Sequence, residues 1–295
     1  MDYLPICSAI AANLATFLDN LPYQHQLIIN GQAKHEINRQ AGEIICSCLA
    51  DYPINLYLQG EHPKLNPYAG YSIFVDPIDG TSNWLRQVGD PSLVIAITSK
   101  RLDVTLGDLE FAYVQGLRTG NCYYGTRSAA YFKSAHSQDY TQIYCHSQVS
   151  LEDAIAYLRP GYNRAKEALS GSFPLWLCCR DIRSIDNSAM EFCEIARGAA
   201  DVMVECRHAS ENYNLLAYPI LKAAGGYLVD FRGNSLESLS LDSEYIVDYV
   251  TCGSGYLLRE ILHIIQRWEQ NHEKSFRSFL GEIERENQVL GSQIA

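Results

Sequence analysis

Apolar residues recur every three or four positions in several stretches of this chain, which is the spacing of one face of a helix. The first such stretch carries Ile6, Ile10, Leu14, Phe17 and Leu21. On this basis we predict helices over residues 6–21, 38–49, 188–198, 215–224 and 258–268.

Short runs of branched and aromatic residues between these stretches predict β-strands. They cover 54–58, 71–75, 93–97, 143–146, 202–204 and 227–229, with further sheet within 103–114 and 120–132 and around Ile182. Helices and strands alternate, so we predict an α/β fold. The segment 133–141 is polar and poor in large apolar residues. We therefore predict an N-terminal half of residues 1–137 and a C-terminal half of residues 138–295.

Composition narrows the class of protein. A chain of 295 residues, 47% hydrophobic and 19% charged, can bury a sizeable core. Its net charge of −11 argues against nucleic acid as a partner. No apolar run is long enough to span a membrane, and the first residues lack signal-peptide features, so we expect a cytoplasmic protein without a membrane partner. The ten cysteines form no CxxC pair and are expected to be reduced structural thiols.

The most informative segment is Asp76-Pro77-Ile78-Asp79-Gly80-Thr81, which directly follows the apolar run 71–75. Two carboxylates at the end of a strand can reach one small volume, where a divalent cation would offset their repulsion. Gly80 allows a tight turn, and Thr81 begins a predicted helix whose free N–H groups suit a phosphate. A plain Asp-Gly turn is the alternative for the short motif, but the preceding strand favours a metal and phosphate loop.

This segment resembles the metal-binding signature of the inositol monophosphatase family, Mg²⁺-dependent phosphatases of small phosphate monoesters. Further stretches are similar to the family pattern and follow its order between about Asn38 and Asp230. They are Leu58-Gln59-Gly60-Glu61, the strand 89–97, the strand–helix–strand 183–201, and Ala223-Ala224-Gly225-Gly226. The resemblance implies a layered α+β sandwich of alternating helix and sheet layers, a small phosphorylated metabolite as substrate, and a homodimer.

The resemblance also implies a ligand set for metal ions. Glu61, Asp76 and the backbone carbonyl of Ile78 would hold a first Mg²⁺, with Mn²⁺ as a substitute, and this ion would activate the attacking water. Asp76 and Asp79 would contribute to a second ion. We therefore expect the carboxylates of Glu61, Asp76 and Asp79 to converge.

Roles for the remaining positions follow from the same resemblance. The N–H groups of Gly80 and Thr81 would hold the phosphate, and the Thr81 hydroxyl would orient the water beside Asn38. Thr81, Asn38 and Glu61 are thus the predicted catalytic residues. The predicted substrate-binding residues are Asp79, Gly80, Thr81, Asp186, Asn187, Ser188 and Glu205.

Three positions depart from the family pattern, and each lacks a carboxylate. Asn38 stands where the family usually has Asp, and an amide cannot act as a base. His62 stands where a second Glu is frequent. The family's Trp-Asp pair is missing, and Asn212 or Tyr213 falls at the position of its Asp, depending on the direction of counting. Glu211 is near and could compensate, but only with a backbone shift.

Two functions therefore remain open. The chain is either a metal-dependent phosphatase of an inositol, sugar or nucleotide phosphate, or a catalytically weak or inactive relative that binds a phosphorylated ligand or a partner protein. An apolar stripe within 276–290 would dock on the chain itself or on another subunit.

Overall fold

Two β-sheets, each covered by helices on both faces, account for most of the chain. The computed structural model describes residues 3–21, 31–159, 165–209, 212–241 and 247–271, with 274, 275 and 278. The layers are, in order, a helix pair, the seven-stranded sheet, a second helix pair, the five-stranded sheet and a third helix pair. The predicted α/β fold of alternating helix and sheet layers is confirmed.

The first sheet has the strand order β1 to β7, in which β1 and β2 are parallel and the other pairs antiparallel. Its strands are β1 (Ile54–Leu58), β2 (Tyr71–Asp79), β3 (Ser92–Thr98), β4 (Phe111–Gly116), β5 (Cys122–Thr126), β6 (Ala130–Lys133) and β7 (Thr141–Ile143). The pairing of β2 with β3 is regular as far as Asp76 and shifts before Asp79. Pro77 lies in this interval and has no N–H for the ladder, so the strand can bulge there.

Helices α1 (Leu4–Asp19) and α2 (Gly31–Leu49) pack on the outer face of this sheet, and the short helix α3 (Thr81–Leu85) follows β2. The buried residues of α1 are Cys7, Ile10, Ala11, Leu14 and Leu18. Of the predicted stripe, Ile10 and Leu14 are buried, whereas Ile6, Phe17 and Leu21 are partly buried against the same cluster. Leu21 lies just beyond the end of α1. Helix α2 begins at Gly31, before the predicted start at Asn38. The first turns are polar and carry no apolar stripe, so the spacing of apolar residues could not predict them.

The second sheet has the order β11-β12-β10-β8-β9. Helices α5 and α6 lie between the two sheets, and α4 and α7 cover the outer face of the second sheet. The elements are β8 (Ile155–Leu158), α4 (Ala165–Cys178), β9 (Asp181–Arg183), α5 (Ser188–Ala196), β10 (Val202–Ala209), α6 (Tyr218–Ala223), β11 (Tyr227–Asp230), β12 (Val247–Cys252) and α7 (Gly255–Asn271).

Three of these elements, β8, α4 and β12, were not predicted from the sequence. Helix α4 contains Pro174, which normally argues against a helix interior. The predicted strand 143–146 is shifted, since β7 ends at Ile143. The boundary at residue 137 stays a prediction, and β7 joins the first sheet from just beyond it. The apolar stripe within 276–290, formed by Phe276, Phe279, Leu280, Ile283 and Leu290, lies outside the described residues.

Within the described part of the chain, no helix combines the length and apolar character needed to cross a membrane.

Candidate active site

The segment 76–81 comprises the irregular end of β2, the tight turn at Gly80 and the first residue of α3, and we call it the loop 76–81. The N–H of Ile78 donates to Oδ1 of the buried Asp76 at 3.0 Å, and the hydroxyl of Thr81 donates to the carbonyl of Ile78 at 2.8 Å. Gly80 has φ 79° and ψ 33°, a left-handed conformation that glycine adopts without strain. A Cβ there would lie 3.3 Å from the amide nitrogen of Asn83 and 3.4 Å from that of Asn187. The loop therefore requires glycine for both conformation and space.

One face of α2 borders this loop. Asn38 Oδ1 lies 3.2 Å from the Thr81 hydroxyl oxygen. One turn later, a Cβ on Gly42 would lie only 2.8 Å from Oε1 of Glu61, so the carboxylate rests against the bare helix backbone. The other oxygen of Glu61 is 3.4 Å from the ammonium of Lys64. Through these contacts with α2, the side chains of Asn38, Thr81 and Glu61 lie on one side of the loop.

The Thr81 hydroxyl has one hydrogen, and its shorter contact is with Ile78. The Asn38 amide can satisfy the other contact by turning its NH₂ group towards the Thr81 oxygen. Asn38 can therefore orient Thr81, but it cannot accept a proton from an attacking water.

The N-terminus of α5 binds the loop from the opposite side. Oδ2 of Asp79 accepts a hydrogen bond from the Ala189 N–H at 2.8 Å. Asn187 caps α5 by accepting from the Met190 N–H, and its amide donates to the carbonyls of Asp79 and Asp90 at 3.2 and 2.9 Å. Burial raises the pKa of Asp79, while the Ala189 N–H and the charge of Arg159 oppose that shift. Asp79 and Asn187 therefore meet although they lie far apart in sequence.

A buried ion cluster under this helix was missed by the sequence analysis. Arg159, at the end of β8, contacts Glu191, Ser188 Oγ at 3.1 Å, Glu205 Oε2 at 3.3 Å and Asp186 Oδ1 at 3.9 Å. Burial raises the pKa of Glu191 to about 7, although the Arg159 guanidinium opposes the shift. The available signal was Glu191 itself, a charged residue between Met190 and Phe192 on the inward face of a predicted helix.

Glu205 is fully buried and in contact with Arg159. Its predicted contact with a substrate hydroxyl stays a prediction. His62 is exposed, next to Glu61.

The short turn Asn212–Leu215 lies against β2, whose end carries the loop 76–81. Glu211, a predicted substitute for the missing acid, lies outside the described residues. The ring of Tyr213 packs on the apolar cluster between the two sheets. Such packing suits a residue at the Trp position of the family's Trp-Asp pair better than one at its Asp position. The half-buried Asn214 then becomes a candidate for the missing ligand position, alongside Asn212.

Comparison with known proteins supports the resemblance to the inositol monophosphatase family. The sequence profile described as the inositol monophosphatase family matches residues 36–278. This chain belongs to the inositol monophosphatase family. The structure resembles the extragenic suppressor protein suhB from Bartonella henselae, with a TM-score of 0.72, 17% identity and coverage of 90% of this chain and 98% of that one. An inositol monophosphatase from Zymomonas mobilis gives a TM-score of 0.69 at 18% identity, over 90% and 99% of the two chains.

Two curated relatives carry enzyme names. A bifunctional NADP phosphatase/NAD kinase from Methanococcus maripaludis is 28% identical over 215 residues, which are 67% of this chain and 36% of the relative. A fructose-1,6-bisphosphatase/inositol-1-monophosphatase from Methanothermobacter thermautotrophicus is 23% identical over 72% of both chains. The matched part thus covers only about a third of the bifunctional relative's length.

The family is metal-dependent, so the donor set of this member has to fit a cation. Among the described residues, no three His, Cys, Asp or Glu side chains are arranged around one metal position. The convergence of Glu61, Asp76 and Asp79 on metal ions stays a prediction. Glu61 faces Lys64, while Asp76 and Asp79 accept backbone N–H groups. The carboxylates of Glu61 and Asp76 and the carbonyl of Ile78 are hard oxygen donors of the kind that Mg²⁺ binds together with water.

Substituting Gly42 with Ala tests whether Glu61 needs this exact place. The new methyl group would displace a flexible, half-exposed carboxylate, not backbone, so the fold should hold. Helix propensity should even add about 0.5–1 kcal/mol to the unfolding free energy. We expect Mg²⁺ affinity, measured by calorimetry, to fall by about tenfold or more, as for other changes that move a ligand. Ser47→Ala, on the exposed side of α2, is the matched control, and equal Mg²⁺ affinity in both variants would contradict the prediction.

Proposed function

We propose that this chain is a metal-dependent phosphatase that hydrolyses a small phosphate monoester of an inositol, a sugar or a nucleotide. The observation that supports this most directly is the loop 76–81, held between α2 and the N-terminus of α5. In that loop the Thr81 hydroxyl is fixed by the Ile78 carbonyl and by Asn38.

The proposed roles follow from this geometry. Glu61, Asp76 and the Ile78 carbonyl would hold Mg²⁺ or Mn²⁺. When bound, such a cation offsets the charge of the phosphate and favours attack by water. The left-handed turn at Gly80 leaves the backbone next to Thr81 bare of side chain, so a phosphate can approach its N–H groups. Thr81 would align the attacking water by its hydroxyl.

The substrate class is proposed from the relatives, whose names refer to NADP, fructose 1,6-bisphosphate and inositol 1-phosphate. All of these are phosphate esters of hydroxyl-rich alcohols. A phosphate ester of this type is therefore the first substrate to test.

A second candidate function is a relative that binds a phosphorylated ligand with little turnover. The contact between Asn38 and Thr81 favours it, because an amide at this place cannot take a proton from water. The loop would then still bind phosphate, since its backbone donors do not depend on Asn38.

One set of assays separates the two candidates. Phosphate release from inositol 1-phosphate, fructose 1,6-bisphosphate and NADP is measured with Mg²⁺ and with Mn²⁺, and binding of the same compounds is measured by thermal shift. Release by the parent protein supports the phosphatase. Binding without release, together with a rise in rate of about tenfold or more in Asn38→Asp, supports the weak relative whose missing group is a base.

A further inference from the structure

Two cysteines of α2 lie close together in sequence but have different polar neighbours. Sγ of Cys46 accepts a hydrogen bond from the ammonium of Lys64, with 2.8 Å between sulfur and nitrogen. Sγ of Cys48 accepts one from the amide of Asn13, at 3.2 Å. Both thiols are half-buried, and both contacts lie at the protein surface. A cation therefore borders Cys46, whereas a neutral group borders Cys48.

The backbone of Lys64 holds its ammonium in this place. Lys64 and Leu56 of β1 exchange two backbone hydrogen bonds, of 2.9 and 3.0 Å, as an isolated antiparallel bridge. The ammonium also lies 3.4 Å from the carboxylate of Glu61. A lysine side chain carries its charge at neutral pH. The fold thus fixes a positive charge beside both the sulfur of Cys46 and a proposed metal ligand.

Most of the other thiols are poorly placed to react. Burial raises the pKa of six of them and keeps them protonated, namely Cys7, Cys122, Cys145, Cys179, Cys193 and Cys252. Cys206 is only 2% exposed. The half-buried Cys178 remains with Cys46 and Cys48. Because reactive thiols lie in electropositive, partly exposed surroundings, the contact with Lys64 favours Cys46 among these three.

A lysine ammonium promotes the oxidation of a neighbouring thiol in two ways. It stabilises the thiolate, which is the form that attacks a peroxide, and it can donate a hydrogen bond to the peroxide oxygen that leaves. In this reaction the sulfur gives an electron pair to one peroxide oxygen, so an S–O bond forms and the O–O bond breaks. The thiol is oxidised to a sulfenic acid. The peroxide is reduced, and its second oxygen leaves as water with the thiol proton.

We propose that Cys46 is a redox-modification site, at which a small hydroperoxide forms a sulfenic acid with the help of Lys64. The chemistry at Cys46 does not depend on the phosphatase function. Because the ammonium that contacts Cys46 also contacts Glu61, the modified sulfur would lie one side chain away from a proposed metal ligand.

Trapping of the sulfenic acid tests this site in the full chain. The protein reacts with hydrogen peroxide in the presence of dimedone, and fragment-ion mass spectrometry measures the label on Cys46 and on Cys48. A neighbouring charge that raises the thiolate population about tenfold also lowers the reactivity of each thiolate about threefold. We therefore expect Cys46 to be labelled at least about threefold faster than Cys48.

Three variants identify the source of the difference. Lys64→Gln removes the charge but keeps a donor, so the two rates should become equal within about a factor of two. Lys64→Arg keeps the charge and should keep most of the parent ratio. Lys100→Gln removes an ammonium paired with Asp108 and should leave the ratio unchanged. The Lys64 side chain is 54% exposed, so the fold should survive both changes there, and thermal unfolding checks this.

The possible outcomes decide the proposal. Faster labelling of Cys46 in the parent that is lost in Lys64→Gln and kept in Lys64→Arg supports it. Equal labelling of Cys46 and Cys48 in the parent, no labelling of either thiol, or an unchanged ratio in Lys64→Gln overturns it.

Discussion

Asp76→Asn is expected to lower metal-dependent phosphate release by about a thousandfold. The substitution removes the charge of the carboxylate that both proposed metal positions share, while catalysis of this type depends on electrostatic stabilisation. The fold should survive, because the Asn side-chain oxygen can still accept the Ile78 N–H hydrogen bond that Asp76 accepts. Thermal unfolding of the variant therefore separates a lost site from a lost fold.

A structural aspartate provides the matched control. Asp230 accepts the N–H groups of Arg232 and Asn234 in the turn after β11, at a distance in sequence and fold from the loop. Asp230→Asn should keep most of the parent rate even if it unfolds at a slightly lower temperature. Near-parent turnover in a folded Asp76→Asn protein would mean that the chemistry lies elsewhere.

The loop was predictable because its signals are local. An apolar run, two acids around Pro77 and a glycine before a helix start all fall within a dozen residues, and each constrains the backbone by itself. The helical stripes of α1 and α7 are local in the same way. Their inward residues, such as Ile10 and Ile261, are buried where the spacing placed them.

The ion cluster was not predictable because its members come from distant segments. Arg159 directly follows a strand of four residues, Glu191 lies in the middle of α5, and Glu205 lies in β10. A buried charge is tolerated only when paired, but the sequence does not show which partners meet. The register near Tyr213 stays a prediction for a similar reason, since counting from either side ignores which face of the turn packs on the core.

A second metal ion should bind this protein more weakly than the first. Asp76 and Asp79 would be the only carboxylates for a second ion among the predicted ligands, and the turn beside β2 offers amides in place of the family's acid. Hard cations depend on anionic oxygens, so the parent should bind one Mg²⁺ well and a second one at least about tenfold more weakly. Activity should accordingly need high Mg²⁺ or prefer Mn²⁺, and lithium, which the family resemblance places at the second site, should inhibit poorly.

Placing an aspartate at each of three neighbouring positions tests this expectation of one strong metal site. Asn214→Asp or Asn212→Asp should raise the affinity for the second Mg²⁺ in calorimetric titration, because either change adds a carboxylate to the turn that lies against β2. Tyr213→Asp should instead lower the unfolding free energy by about 2–4 kcal/mol, since it removes ring packing on the cluster between the sheets and places a charge there. Two tight Mg²⁺ sites in the parent would contradict the one-metal expectation. A Tyr213→Asp protein of parent stability with a new metal site would instead place the missing ligand at Tyr213, as counting back from Gly225 implies.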